Sequence, residues 1–256
     1  MFEHGVEIIA ADLAFWSLAL KNPSYPISQL GALSLELSDK FRALAIMQLL
    51  TEGSTDLFLH NLIRSGRTRE LYLQRLAADG VSGQHHQASG RYRPLISLIA
   101  AGDIERARHI SELSPSEFQL SHEYEDDYCY AQLLSHLLLD NAAEDARSSA
   151  LLSQFEGWLE DASNVRLDLC QALLQRDQAA FDDAFEGLLL DHEESIEVEH
   201  ARGQHEDDAV RAERLVMIEG LAMLRLAQRQ GLQTADDYRY CPSLARAPMK
   251  VPFPGE

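Results

Sequence analysis

Apolar residues recur along this chain at intervals of three and four, the period of one face of an α-helix. The stretch ISQLGALSLELSDKFRALAIMQLL brings Leu30, Leu33, Leu37, Phe41, Leu44 and Gln48 close together on a helix, an apolar face with a polar end. The stretch ERLVMIEGLAMLRLAQRQG does the same with Leu215, Ile218, Leu221, Met223, Leu224 and Leu226. It is apolar nearly all round, which predicts one central helix running on from Glu213. Gly231, after Arg229 and Gln230, suits its C-terminal stop. Alternating, β-branched runs are scarce, and Leu, Ala, Glu, Gln and Arg dominate. The expected class is all-α.

Four segments share a pattern of apolar helix end, short polar turn and new helix start. Their turns are placed at Ser65-Gly66, Gly102-Asp103, Asp140-Asn141 and Arg176-Asp177, roughly 36 to 39 residues apart, as in stacked helical hairpins. Asp103 and Asn141 fit as N-caps, because a side-chain oxygen there can accept from the open amides of the first turn. Ala107, Ala146 and Ala184 recur shortly after these turns, where two helices can approach closely. The expected architecture is a set of antiparallel helical hairpins forming an α-α superhelix-like bundle. Residues 1–256 read as a single helical domain. The Gly/Ser/His-rich stretch at 79–94 reads as a mobile loop and the candidate subdomain boundary. The tail at 241–256, with prolines at 242, 248, 252 and 254, reads as extended and non-helical.

Charge then changes the picture. Forty-one acids against 22 bases give −19, a field that repels nucleic acid and anionic membrane and attracts basic partners. No apolar run is long enough to span a bilayer. The N-terminus lacks a basic start, and Glu3, Glu7 and Asp12 interrupt its apolar run, unlike a secretory leader. Cys129, Cys170 and Cys241 are far apart and form no CxxC pair, so inert buried thiols in a reducing cytoplasm are expected.

The acids are concentrated in two runs. Asp191 to Asp208 holds eight carboxylates, three histidines and one arginine. Glu197 and His200 have the Glu-x-x-His spacing of carboxylate-bridged metal sites, but no second such motif accompanies them. The run is read as a solvated face or a partner-binding one, with Glu193, Glu194 and Glu197 as candidate contacts. His192 falls near the apolar stripe and is expected to be a hydrogen-bonded core histidine. In the second run Glu123, Glu125, Asp126 and Asp127 crowd a helix start, where the helix dipole favours negative charge. Tyr128 and its neighbours add rings suited to meeting Arg and Lys, though Tyr128 or Tyr130 can equally be packed inside. His85-His86 and Arg91-Tyr92-Arg93 are read as loop residues. No nucleophile motif, phosphate loop or complete metal-ligand set is present, so no catalytic residue, metal or cofactor is expected.

The C-terminal third resembles the helical immunity proteins of bacterial polymorphic-toxin systems, in particular the immunity-49 family. The resemblance covers roughly residues 165–245: a Phe-x-x-Ala-Phe element from Phe181 to Phe185, an acidic stretch, then an apolar helix closed by Gly231-Leu232. It implies an all-helical, non-catalytic inhibitor that binds a co-encoded toxin. Such toxins are often nucleases, whose basic surfaces an acidic protein can occupy as a nucleic-acid mimic. The competing reading is a helical-repeat scaffold or adaptor for a basic protein or peptide. A di-iron or hydrolase-type enzyme comes third.

Overall fold

The computed structural model describes residues 2–140, 142, 145–159, 163–201 and 207–254, with residues 200 and 201 described in their backbone alone. Helices dominate them, as expected, and the only β-type pairing among the described residues is an isolated bridge between Tyr238 and Cys241. In chain order the helices are α1 (Glu3–Lys21), α2 (Ile27–Glu52), α3 (Thr55–Asp79), α4 (Arg93–Ala101), α5 (Ile104–Leu113) and α6 (Glu125–Leu137). They continue with α7 (Ala146–Leu159), α8 (Val165–Gln175), α9 (Gln178–Ala201), α10 (Asp208–Leu215), α11 (Ile218–Arg229) and α12 (Ser243–Arg246). One buried apolar cluster runs from Phe2 to Ala245 and draws on nearly all of them.

Local chemistry explains the hairpins. Gly53, left-handed at φ 62°, ends α2, and the Ser54 side chain accepts from Leu57 N to start α3. Two residues between helices this long force α2 and α3 to lie antiparallel. Gly102 and Asp103 do the same between α4 and α5, with Asp103 capping as expected. At the α8–α9 turn Arg176 takes the left-handed conformation, and Asp177 accepts from Ala180 N. Asn141 lies outside the described residues.

The first expected turn is absent. Ser65 and Gly66 lie inside α3, where Gly66 permits a close helix crossing: a Cβ there would stand 2.2 Å from Leu98 Cγ on α4. Ser65 bonds Ser38 of α2 at 2.7 Å and Ser97 of α4 at 3.0 Å. Small residues read as a turn therefore mark the contact of three helices. The recurring alanines do not share a role either: Ala107 is buried, Ala184 half-buried and Ala146 exposed.

The central helix predicted from Glu213 onward is two helices. Val216 and Met217 are extended, Met217 N donates to Tyr240 O at 2.9 Å, and α11 starts anew at Ile218. The tail makes this break. Cys241 packs so close to Gly220 that a Cβ there would meet its sulfur at 2.6 Å. The tail itself contains one helical turn, α12, against the expectation of a wholly non-helical segment. Pro242 occupies its N-cap position and Pro248 follows its end, so four of the five proline-free residues between them can coil.

The 79–94 stretch is held, not loose. The buried guanidinium of Arg69 donates to the carbonyls of His86, Gln87 and Ala88 around a 3-10 turn at His85–Gln87. The distant end of the chain is tied in by Arg42, buried in α2, which reaches Ser97 at 3.0 Å and Glu213 of α10 at 3.2 Å. Arg93 donates to both oxygens of the same Glu213 at 2.7 Å.

Gly66→Ala should destabilise the protein by about 1–3 kcal/mol through overpacking against Leu98, despite alanine's helix preference of about 1 kcal/mol. Urea denaturation measures this, and a stabilised variant would mean the crossing has room to spare.

Candidate functional site

The two acidic runs have different fates. At the start of α6, Glu123 accepts from Ser89 Oγ at 3.1 Å, from Gly90 N and from Gln119 N at 2.8 Å. It pins two loops together. Burial raises the Asp127 carboxyl above its ordinary range, with the neighbouring charge of Asp126 adding to the effect. Tyr128, expected among the contact residues, is buried: its hydroxyl donates to Ser116 O at 2.9 Å, and its ring packs near Phe118 and Trp158. Tyr130 is buried too and donates to Glu219 at 2.9 Å. Arg166 pairs with Glu219 at 2.7 and 3.1 Å and lies over the rings of Tyr92 and Tyr130. The mixture of acid and tyrosine thus belongs mostly to an internal polar network, with Glu125 and Tyr124 left exposed.

On α9 the acids face outward. Phe181, Phe185, Leu188 and Leu189 fill its buried side. Asp182, Asp183, Glu186, Glu193, Glu194 and Glu197 fall within about a third of a turn of one another, from the edge of that side round to the outward face, by the 3.6-residue period. Among the described residues Glu193 is paired, with Arg239, and Asp182 accepts from Gln178 Nε2 at 2.9 Å. Asp183, Glu186, Glu194 and Glu197 are exposed and have no partner among the described residues. Like charges this close repel, and no cation among the described residues pairs with these four.

One apolar residue sits in the middle of the stripe. Leu190 is 55% exposed and lies one turn from both Glu186 and Glu194, and two turns from both Asp183 and Glu197. Val198, 43% exposed, continues the face toward its C-terminal end. Beside the stripe a cleft of about 620 Å³ separates α8 from α9, with Asp168, Asp183 and Asp191 on its walls and Ala184 and Gly187 among its lining. Gly187 lets the helices close up there, since a Cβ would stand 3.1 Å from Val165.

Asp191 also borders a second cleft, which contains Arg166, His192, Ser195 and Glu219. His192 is half-buried, with its ring 4.7 Å from that of Tyr240, and burial lowers its pKa. His200, which shares the Glu-x-x-His spacing with Glu197, has its side chain outside the described residues. No group of three or more His, Cys, Asp or Glu suited to a metal occurs among the described residues. All three cysteines are buried, and burial pushes the Cys129 and Cys241 thiols up to about 12, so both stay protonated.

Reading the runs as blocks of sequence missed Asp168, Asp182, Asp183 and Glu186. The signal was present in the spacing: acids at 182, 186, 193 and 197 repeat with the helical period on a strip about a third of a turn round from Phe181 and Phe185. The family model described as Immunity protein 49 matches residues 28–245, well beyond the C-terminal third that carried the resemblance. No curated protein and no solved structure matches the chain.

Glu123→Ala should cost about 1–3 kcal/mol, because it leaves two backbone amides without their acceptor. Glu194→Ala and Glu197→Ala should each stay within about 0.5 kcal/mol of the parent. Chemical denaturation of the three variants checks the division, and equal costs would contradict it.

Proposed function

The chain belongs to the immunity protein 49 family, and we propose that it neutralises a basic toxin, a nuclease, by covering the toxin's phosphate-binding surface with the outward face of α9. The observation that carries this reading is the stripe of carboxylates around Leu190, four of them exposed and without a partner among the described residues. A nuclease holds phosphates with Lys and Arg, and a helix presenting carboxylates at short intervals offers those cations the same sign of charge. The net charge of −19 steers a basic partner toward the protein and raises the association rate. Leu190 supplies what charge does not: an apolar contact that a partner can desolvate, surrounded by a polar rim.

Of the two runs, the α9 residues Glu194 and Glu197 are the stronger contacts, joined by Asp183 and Glu186. Glu193 contributes while paired with Arg239. In the other run Glu125 remains available, whereas Glu123, Asp127 and Tyr128 serve the protein's own interior. Inhibition by occupancy needs no cofactor and no catalytic group, and a nuclease is met where its substrate lies, in the cytoplasm. No helix among the described residues is long and apolar enough to cross a membrane. The adaptor reading loses its main support, since the repeat behind it lacks its first turn at Gly66.

The test pairs this protein with the toxin encoded beside it. The triple reversal Glu186→Lys, Glu194→Lys and Glu197→Lys should slow association about tenfold or more at low salt and abolish protection of toxin-expressing cells, with helix content unchanged. Leu190→Ala should act instead on the dissociation rate. Reversal of Glu125 and Asp126 should leave protection intact. If the triple variant binds as fast as the parent and still protects, the α9 face is not the inhibitory surface.

A further inference from the structure

A second unpartnered face lies on α1, and its chemistry is unlike that of α9. Gly5, Ile9, Leu13 and Leu20 are buried on one side of this helix. On the other side Ile8 is 51%, Phe15 67% and Leu18 68% exposed. With exposed Ala11 they stand at intervals of three, four and three, the spacing of a two-helix seam. The Phe15 ring meets Trp16 edge to face at 5.1 Å, which holds it in place. The helix precedes the residues matched by the family model, so the stripe is not explained by family membership.

The residues beside the stripe say what covers it. Glu3 and Glu7 lie at one end of α1 and Lys21 at the other, all exposed and all on the same flank by helical phase. None has a partner among the described residues. Asp12, on the opposite flank, is already paired with Lys40 at 2.8 Å. Such a flank complements its own reverse. In an antiparallel pair of α1 helices related by a two-fold axis at the level of Leu13, Ile8 meets Leu18 and Phe15 meets the small Ala11. Each match occurs twice. The same operation brings Lys21 between Glu3 and Glu7 of the other copy, also twice. A parallel pair would set Phe15 on Phe15 and part Lys21 from Glu3 and Glu7. A basic toxin has no use for Lys21. A helix with one lysine in a chain of −19 has little attraction to an anionic bilayer.

We infer that a second copy of this chain covers the α1 stripe, forming an antiparallel two-fold dimer. The interface is isologous, so every favourable contact is made in duplicate. The α1 seam uses no residue of the α9 face. Charge opposes the pairing. At a salt concentration of about 0.15 M the screening length of about 8 Å damps repulsion between copies while leaving apolar burial in place.

Sedimentation velocity on the full chain at that salt concentration tests the inference. A monomer–dimer equilibrium is expected. Phe15→Glu with Leu18→Glu should raise the dimer dissociation constant roughly 30-fold or more, because both are central apolar contacts. These side chains are exposed, so far-ultraviolet circular dichroism should not change. Lys21→Glu should weaken the dimer, and adding Glu3→Lys and Glu7→Lys should restore it, since the pairs are then re-formed with signs exchanged. A chain that stays monomeric over the accessible concentration range overturns the inference. So does a dimer indifferent to Phe15→Glu and Leu18→Glu, or a charge exchange that restores nothing. Loss of toxin binding in those variants, with no dimer in the parent, would assign the stripe to the toxin instead.

Discussion

The charge of Arg42 has to be matched in a place almost without water. Its side chain is buried where α2, α4 and α10 meet. Burial lowers its pKa, and a guanidinium there without a counter-charge would cost several kcal/mol. The counter-charge, Glu213, comes from 171 positions further along the chain. Although burial raises its pKa, Arg42 and Arg93 outweigh that and hold the carboxyl ionised. Once Glu213 is fixed, α10 has to lie on α2, while α11 packs against α4. A straight helix from Glu213 to Arg229 could not serve both positions. The extended residues Val216 and Met217 are the joint between them, and Tyr240, Cys241 and Gly220 hold the joint shut. The end of α9 follows, because Arg214 of α10 pairs with Glu199 at 2.7 Å. The outward direction of the α9 acids is thus set partly by one buried ion pair elsewhere.

What could be read in the sequence was whatever depends on one helix alone. The apolar face of α2, the stop at Gly231, the cap at Asp103 and the turn at Arg176-Asp177 each rest on residues within a few positions. The readings that failed depend on contacts between distant segments. Ser65-Gly66 has the composition of a turn, and only the arrival of Leu98 and Ser97 reveals a crossing. The break at Val216 has no local signal, since Val and Met are tolerated inside helices. Its cause is a backbone acceptor on Tyr240. The 79–94 stretch has the composition of a mobile loop, yet one arginine on α3 satisfies three of its carbonyls.

The acidic runs show the same limit in electrostatic form. Counting carboxylates does not separate those that serve the interior from those that face solvent. Glu123 and Glu194 are equal in composition. Glu123 stands where two loops turn their amides inward, and Glu194 stands on a helix whose buried side is already filled by phenylalanine and leucine. The separating variable is helical phase. On α9 the phase of the acids is set apart from that of Phe181 and Phe185 by about a third of a turn or more on average, and this relation is present in the sequence. At the start of α6 the acids share their turn with Tyr128 and Tyr130, so some of them had to follow the tyrosines inward.

The α9 face also limits what charge alone can do in a complex. Stripping water from several carboxylates at once is expensive, and ion pairs at the edge of an interface return little beyond that loss. Acids left at the rim avoid most of this cost and still shape the field that guides encounter and orientation. The contact that lasts has to come from a group that prefers to leave water. On this face Leu190 is central and Val198 lies toward one end, both apolar and both exposed. Under the proposed function the work of recognition is divided: carboxylates would govern how fast and in what orientation a basic surface arrives, and Leu190 how long it stays. A protein that countered a toxin by charge alone would bind many basic surfaces in passing. Under the proposed function the leucine inside the acidic face would favour a partner that has an apolar recess among its cations.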